Sequence, residues 1–162
     1  MKNANVMWVG LSAKKTANTG IYAVPLHIDT NTGKLVAEIE AQCHHINFYK
    51  TNLVKFAPLD SKGKLRYPTP EECMRYYPEL QIEIQTINPR VVLLLGNKTA
   101  AFVFHQLGLQ MPKLSYNKYR AFEYEGRLYV PIQHPSYIMV YKRKEKDRYV
   151  QAVKAVIERL VS

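Results

Sequence analysis

Five consecutive aliphatic residues at positions 91–95, VVLLL, constrain the fold of this chain more than any other stretch. An unbroken apolar run of this length, bounded by Arg90 and Gly96, is typical of a strand that is buried on both faces of a parallel sheet. A second apolar run, at residues 5–12, has the same character and reaches a glycine turn at Gly10. Strands of this kind require helices on both faces of their sheet.

Segments with helical periodicity alternate with these strands. Thr69, followed by Pro70 and two glutamates, is a strong helix start, and this helix is predicted to extend to about residue 88. Pro78 inside it predicts a kink or a break. The other predicted elements are helices at 34–43 and 99–107, a strand at 46–56, a hairpin with strands at 119–124 and 127–132, and a C-terminal helix after residue 147.

This alternation predicts an α/β protein, a three-layer α/β/α sandwich with a central, mainly parallel sheet of about four strands. The chain has 162 residues without a visible linker or repeat, which predicts a single domain over residues 1–162. No run approaches the roughly 18 apolar residues of a membrane span, and no signal peptide is visible. We therefore expect a cytoplasmic monomer with no membrane partner.

The sequence contains two cysteines, Cys43 and Cys73, without CxxC spacing. Two such thiols indicate a reducing compartment rather than a disulfide framework, and they cannot alone form the four-cysteine shell of an iron–sulfur cluster. The neighbouring His44 and His45 are adjacent on the chain and therefore point different ways. We predict no metal site and no cofactor.

The formal net charge of +10 favours a polyanionic partner, since neutralised phosphates release counterions. A solvated basic surface is the alternative. Basic residues concentrate in three segments, which are the loop after the first strand with Lys14 and Lys15, residues 62–66, and residues 142–146 with Lys142 and Arg143.

One histidine, His134, stands between a predicted strand end and Pro135 in the stretch VPIQHPS at residues 130–136. Proline restricts the preceding residue to extended geometry, so the backbone of His134 is largely fixed. This arrangement is suited to presenting an imidazole to a ligand. A histidine that caps a turn is the alternative.

Five segments follow one another along the chain: GLSA at 10–13, KTNLVK at 50–55, YPTPEEC at 67–73, VVLLLG at 91–96 and HPS at 134–136. Together they resemble the uracil-DNA glycosylase superfamily, and most closely its iron–sulfur branch, where the matching segments read roughly GEAPG, TNVVKCRP, PTPEE, a strand ending in LLG, and HPS. Each motif alone is weak. Their order over nearly the whole chain carries the resemblance.

Two departures from that branch matter. Of its four cysteine ligands, Cys73 alone has a counterpart, and Phe56 replaces the cysteine of the VVKC segment. The catalytic acid that follows the first glycine of the first motif is replaced by Leu11. The next residue, Ser12, stands where other branches have Asp or Asn. A further branch reads GLAPA, with no polar side chain at either place, and GLSA at 10–13 resembles that pattern most. We therefore expect no cluster and no carboxylate from the first motif.

The resemblance implies a monofunctional DNA N-glycosylase that flips out a damaged or modified base, uracil or a related one, and hydrolyses its glycosidic bond. His134 would donate a hydrogen bond to the departing base. Asn52 would read the base edge with its amide, and Tyr22 would stack on the ring. Ser12 and Asn18 would position water.

The resemblance also places Ser136 against a DNA phosphate, beside Lys142, Arg143, Lys14 and Lys15. Each assignment has a structural alternative, such as a buried asparagine that satisfies backbone groups, a core tyrosine, a turn-forming asparagine or a solvated charged turn. Two other functions remain open. One is a weak or inactive DNA-binding module of the same fold, and the other is a nucleotide-processing protein that does not bind DNA.

Overall fold

The computed structural model of this chain describes residues 4–14, 25–115 and 118–161. The secondary structure alternates as the sequence predicts. Along the chain, the described elements are β1 (Val6–Ser12), α1 (Asn31–Gln42), β2 (Phe48–Val54), α2 (Pro70–Ile87), β3 (Val91–Leu95), α3 (Asn97–Leu107), β4 (Phe122–Tyr124), β5 (Arg127–Ile132), α4 (Pro135–Tyr141), a 3₁₀ turn (Arg143–Glu145) and α5 (Lys146–Val161).

The strands form one five-stranded sheet in the order β2-β1-β3-β5-β4. β1 pairs in parallel with β2 and β3, and β3 pairs in parallel with β5. β4 is a three-residue antiparallel strand at the edge, shorter than the predicted strand at 119–124. With it the sheet has five strands, where about four were predicted. Pro131 is tolerated in β5 because the pairing with β4 ends at Tyr129. Beyond that residue, no strand on this side requires a backbone N–H from β5, and proline has none to donate.

Helices cover both faces of the sheet, which confirms the predicted three-layer α/β/α architecture. α1, α4 and α5 pack on one face, and α2 and α3 on the other. Residues of β1, β3 and β5 alternate between the two cores, as the pleat requires, whereas Leu53 and Val54 of β2 both belong to the second core. The first core takes Val6, Trp8, Val91, Leu93, Leu95, Val130 and Ile132 from the strands, and the second takes Met7, Val9, Leu53, Val54, Val92, Leu94 and Tyr129.

The predicted kink or break at Pro78 does not interrupt helix α2, which continues from Pro70 to Ile87. Proline removes one helical hydrogen bond and leaves the carbonyl four residues earlier without its donor. That carbonyl belongs to Met74, and both Met74 and Pro78 are exposed, so water can satisfy the freed oxygen. A capping box between Thr69 and Glu72 fastens the helix start.

The order of the strands defines where a ligand would bind. From β1 the chain moves to β2 on one side, and it then returns to β3 on the other side of β1. In open parallel sheets, a crevice forms at such a reversal, outside the carboxyl ends of the strands. None of the helices in the described ranges combines the length and the apolar composition that a membrane crossing requires.

Candidate active site

A cleft of about 840 Å³ opens at the carboxyl edge of the sheet. The ends of β1, β2 and β3 form its floor, and the first turns of α3 and α4 form part of its walls. The loop between β2 and α2 and the segment before α1 complete the described wall. The cleft therefore lies at the reversal of strand order, where the fold predicts a ligand.

His134 lines this cleft as the N-cap of α4, directly after β5. Its backbone is extended, with φ −64° and ψ 129°, as expected for a residue before proline. The ring nitrogen Nδ1 accepts a hydrogen bond from the Ser136 backbone N–H at 3.2 Å and lies 2.9 Å from the Ser136 hydroxyl oxygen. The Thr32 hydroxyl lies 3.5 Å from the same nitrogen.

These contacts determine the protonation of the imidazole. A nitrogen that accepts from a backbone N–H carries no proton, so in the neutral ring the proton is on Nε2. Burial, with a smaller contribution from the charge of Lys14, lowers the pKa of His134 to about 4. At neutral pH, His134 is therefore an uncharged donor through Nε2–H.

Asn52 lies on β2, is 4% exposed and lines the same cleft. It faces Gly10 of β1 in the parallel register. A Cβ at Gly10 would lie 2.5 Å from the Asn52 side-chain oxygen, so only glycine leaves room for the amide in this position. The amide is held against the strand beside it.

Gly96 leaves room for His134 as Gly10 does for Asn52. It has φ +90°, a conformation that favours glycine, and it precedes the first turn of α3. A Cβ there would lie 3.2 Å from the His134 Cβ and 3.4 Å from its Cδ2. The glycines at the ends of two central strands thus make space for the two side chains that the sequence singles out.

A polar cluster behind β2 holds the end of that strand against α2. Glu83 accepts hydrogen bonds from the Tyr49 hydroxyl and the Thr51 hydroxyl, each at 2.9 Å, and it forms an ion pair with Lys55. The Lys55 ammonium also donates to the backbone oxygen of Asn52. Burial, followed by the Glu83 carboxylate, raises the pKa of Tyr49 to about 12, so this hydroxyl remains a donor.

The first-motif region supplies Leu11, Ser12 and Lys14 to the cleft wall. Burial lowers the pKa of Lys14. No Asp or Glu occurs among the cleft-lining residues in the described part of the chain. An acid that could contribute from nearby is Asp29, whose carboxylate lies 3.5 Å from Nδ1 of His27, a cleft residue.

The basic and polar residues predicted to hold phosphate differ in their surroundings. Ser136 lines the cleft, but its backbone and hydroxyl both contact the His134 ring. Lys142 and Arg143 are exposed and follow α4 directly, beside the cleft rim. Three further predicted site residues, Lys15, Asn18 and Tyr22, lie outside the described residues.

The cleft also contains residues that the sequence reasoning did not assign. His27 and Thr32 come from the segment before α1 and its first turn, and Tyr67 and Lys98 come from the opposite wall. The Lys98 ammonium lies over the Tyr67 ring, 4.5 Å from its centroid. Tyr67 is the first residue of the YPTPEEC segment, so the sequence motif indicated that it could be a site residue. No local pattern marks His27 or Thr32.

An iron–sulfur cluster does not fit the cysteines of this chain. Cys43 and Cys73 are buried in the cores on opposite faces of the sheet. Burial raises the pKa of both thiols. Phe56 packs against the Tyr76 ring, with centroids 5.6 Å apart. An aromatic contact thus stands where the resemblance would require a ligand.

These observations define a class: an α/β/α protein with a neutral histidine donor and a buried asparagine amide in one cleft at the strand ends. The chain belongs to the uracil DNA glycosylase superfamily, whose family model matches residues 2–158. It is similar to the type-4 uracil-DNA glycosylase of Archaeoglobus fulgidus, with 29% identity over 132 residues, which are 78% of this chain and 64% of that protein. The chain thus spans less than two thirds of the length of this curated relative.

The fold has a counterpart among solved structures. The crystal structure of wild-type SMUG2 from Pedobacter heparinus matches with a TM-score of 0.64 and 16% identity, over 98% of this chain and 76% of that chain. At this level of identity, the likeness shows the shared fold.

Proposed function

We propose that this protein is a monofunctional DNA glycosylase that excises a damaged or modified base, uracil or a related pyrimidine, by hydrolysis of the N-glycosidic bond. The observation that carries the proposal is the pairing of the His134 imidazole with the Asn52 amide in one cleft of a superfamily member. The name of the similar type-4 uracil-DNA glycosylase supports it. We further propose that it acts on DNA as a monomer in the cytoplasm.

The chemistry follows from the charge that develops in the reaction. As the glycosidic bond breaks, the sugar becomes cationic and the departing base becomes anionic. The Nε2–H of His134 donates to a carbonyl oxygen of the base, where the negative charge accumulates. The pKa of about 4 keeps the imidazole uncharged at neutral pH. Because a neutral imidazole is a very weak acid, it stabilises this anion without giving up its Nε2 proton, and the base leaves as an anion that takes a proton from solvent.

Asn52 distinguishes bases through its amide, which presents a donor and an acceptor to one edge of the ring. The amide is 4% exposed, and its orientation is restricted by Gly10. A base whose edge fails to match leaves the buried amide unpaired, which disfavours binding. We propose that this match selects uracil over cytosine, whose exocyclic amine replaces a carbonyl.

Water must add to C1′ from the face opposite the base. Without a carboxylate among the described cleft residues, catalysis depends on positioning the water rather than on a strong base. Ser12 and Asn18 are our candidates for this role, and Lys142, Arg143, Lys14, Lys15 and Ser136 are proposed to hold the flanking phosphates. Tyr22 is proposed to stack on the flipped base.

A binding module of the same fold is the second candidate. It is favoured by one observation: Leu11 replaces the catalytic acid of the first motif, and its side chain lines the cleft. Such a module would bind a flipped base without cleaving it.

An oligonucleotide panel separates the two. Strands with uracil, hypoxanthine, xanthine or a modified cytosine are incubated with the protein and then treated with alkali, which cleaves at abasic sites. We expect alkali-dependent cleavage at uracil or a related pyrimidine. Cleavage on none of these substrates, with retained DNA binding, would establish the binding module instead.

A further inference from the structure

Tyr149 places a hydroxyl group in the core of the protein. Its side chain, on α5, is fully buried among the apolar residues that cover one face of the sheet. A buried hydroxyl without a partner costs stability, so phenylalanine would be the simpler residue at such a position. The Tyr149 hydroxyl donates to the backbone oxygen of Gln133 at 2.8 Å. The core tyrosine therefore supplies a hydrogen bond to the residue directly before His134.

This bond fixes the peptide group that leads into His134. The Gln133 carbonyl and the His134 nitrogen share one planar peptide unit, so an anchored oxygen also orients the Cα of His134. On the other side of His134, Pro135 is buried, and the Ser136 N–H donates to the ring at 3.2 Å. The imidazole is thus held from two directions, by α5 through its backbone and by α4 through its ring.

A second tyrosine, Tyr119, holds both Tyr149 and Gln133. Its ring meets the Tyr149 ring edge to face, with centroids 6.2 Å apart and an angle of 87° between the planes. Its hydroxyl donates to the side-chain oxygen of Gln133 at 3.4 Å. Burial raises the pKa of both phenols, so each hydroxyl keeps its proton and remains a donor.

We propose that Tyr149 is a positioning residue for excision, which orients the His134 donor towards the departing base by anchoring the Gln133 carbonyl, with Tyr119 holding the Tyr149 ring. This inference rests on the proposed function. It extends the machinery to the core behind the site, since neither tyrosine lines the cleft.

The orientation of the donor matters because the developing charge is concentrated on the base. A misplacement of about 1 Å in a catalytic group can lower a rate by roughly a hundredfold. Loss of the Tyr149 hydroxyl removes one of the two anchors and leaves the Ser136 bond in place. We therefore expect a smaller effect on the excision rate, of about tenfold.

A double-mutant cycle with His134→Ala tests whether Tyr149 acts through the histidine. Tyr149→Phe keeps the ring that packs on Tyr119 and removes only the hydroxyl. With His134 present, this change should lower the single-turnover excision rate by about tenfold and leave the affinity for undamaged DNA unchanged. With His134→Ala, it should lower the rate by less than about twofold, because the donor that it orients is already absent.

Tyr77→Phe is the matched control. It removes the hydroxyl of a tyrosine that is 8% exposed in the core on the other face of the sheet, and it should leave the excision rate unchanged. A second measurement does not require excision. The NMR resonances of the His134 imidazole, assigned with His134→Ala, should shift and broaden in Tyr149→Phe and stay in place in Tyr77→Phe.

Excision by Tyr149→Phe at the wild-type rate would overturn the proposal. An equal loss with and without His134 would also overturn it, since the hydroxyl would then act on stability rather than through the histidine. If the wild type excises no base at all, the proposed function fails and the imidazole resonances decide the inference alone. Unchanged resonances in Tyr149→Phe would then overturn it, and shifted ones would keep Tyr149 as the anchor of His134.

Discussion

At the scale of single residues, one nitrogen of His134 serves two purposes. Nδ1 caps helix α4 by accepting from the Ser136 N–H, and this same bond keeps the proton on Nε2. The helix cap and the donor for the departing base are thus coupled. If Nδ1 took the proton, it could no longer accept from the Ser136 N–H, and in the neutral ring Nε2 would no longer be a donor.

The lowered pKa of His134 predicts a pH dependence of stability. The folded-state pKa is about 4, below the usual 6.5. Between these values the unfolded chain binds the proton and the folded chain does not, so this contribution is complete above pH 6.5 and is lost as pH falls towards 4. From pH 7 to pH 5, the wild type should lose about 2 kcal/mol of unfolding free energy more than His134→Gln.

Urea unfolding of both proteins at the two pH values measures this difference. Parallel losses in the wild type and the variant would show that His134 titrates normally in the folded state, and the lowered pKa that keeps the donor uncharged below pH 6.5 would then be wrong.

Gly10 is predicted to act through Asn52. A methyl group at Gly10 would meet the end of a flexible side chain, 2.5 Å from the amide oxygen, so the amide can rotate away while the backbone stays in place. We expect Gly10→Ala to retain a melting temperature near that of the wild type and to lose on the order of a hundredfold in kcat/KM for excision, a loss of the size caused by one displaced catalytic group. Excision at the wild-type rate would show that the amide position does not matter.

Asn52→Asp tests the same amide by its chemistry. The carboxylate keeps the shape and replaces a donor with an acceptor. Excision of uracil should fall relative to excision of a base that presents an amine at the same edge. The measured quantity is the ratio of the two excision rates within the panel. An unchanged ratio would remove Asn52 from base selection.

At the scale of elements, the end of β2 depends on helix α2. Glu83 accepts hydrogen bonds from Tyr49 and Thr51 and pairs with Lys55. Lys55 also donates to the backbone oxygen of Asn52. Glu83→Gln breaks a partly buried ion pair, so we expect a loss of about 1–3 kcal/mol in unfolding free energy. The loosened strand end should also lower kcat for excision more than it changes KM.

Glu40→Gln is the matched control. Glu40 accepts from the Trp8 indole at 3.0 Å and pairs with Lys50, on the other face of the sheet. It should cost comparable stability without a specific loss of kcat. A similar kinetic loss in both variants would mean that the Glu83 effect is general destabilisation.

The elements also show what sequence reasoning can reach. The long strands and helices were predictable because the apolar run at 91–95 and the start at Thr69 are strong local signals. α4 was not predicted, since its seven residues are too few to show a helical period. The continuity of α2 at Pro78 could not be predicted, because it depends on which side of the helix is exposed to water, and only the tertiary structure determines that.

At the scale of the whole molecule, the net charge of +10 predicts binding that weakens steeply with salt. Lys142 and Arg143 are exposed beside the cleft rim. Reversing both to Glu should weaken binding to every DNA sequence alike and reduce the salt slope by about two, one for each phosphate contact. Fluorescence anisotropy across a salt series measures both quantities.

A double reversal at Arg75 and Lys113 is the control, because both are exposed and neither lines the cleft. It changes the net charge equally and should have a smaller effect. If both double variants weaken binding to the same extent, the DNA is attracted by overall charge alone.

The candidate site was predictable in part. His134, Asn52, Ser12 and Ser136 belong to motifs, Lys14 directly follows one, and the structure brings all five to one cleft. Their meeting follows from the parallel sheet, which places strand ends from distant segments at one edge. The contributions of His27, Thr32 and Lys98 could not be predicted, because they reach the cleft through loop paths and helix starts that carry no periodic signal.

The central claim is that His134 donates to the departing base, and single-turnover excision by His134→Ala on the best substrate of the panel tests it most directly. A donor aimed at charge that accumulates in the transition state acts on the rate of the chemical step. We predict a rate lower than that of the wild type by on the order of a hundredfold or more, with DNA affinity little changed because phosphate contacts dominate it. Excision by the variant at close to the wild-type rate would contradict the account.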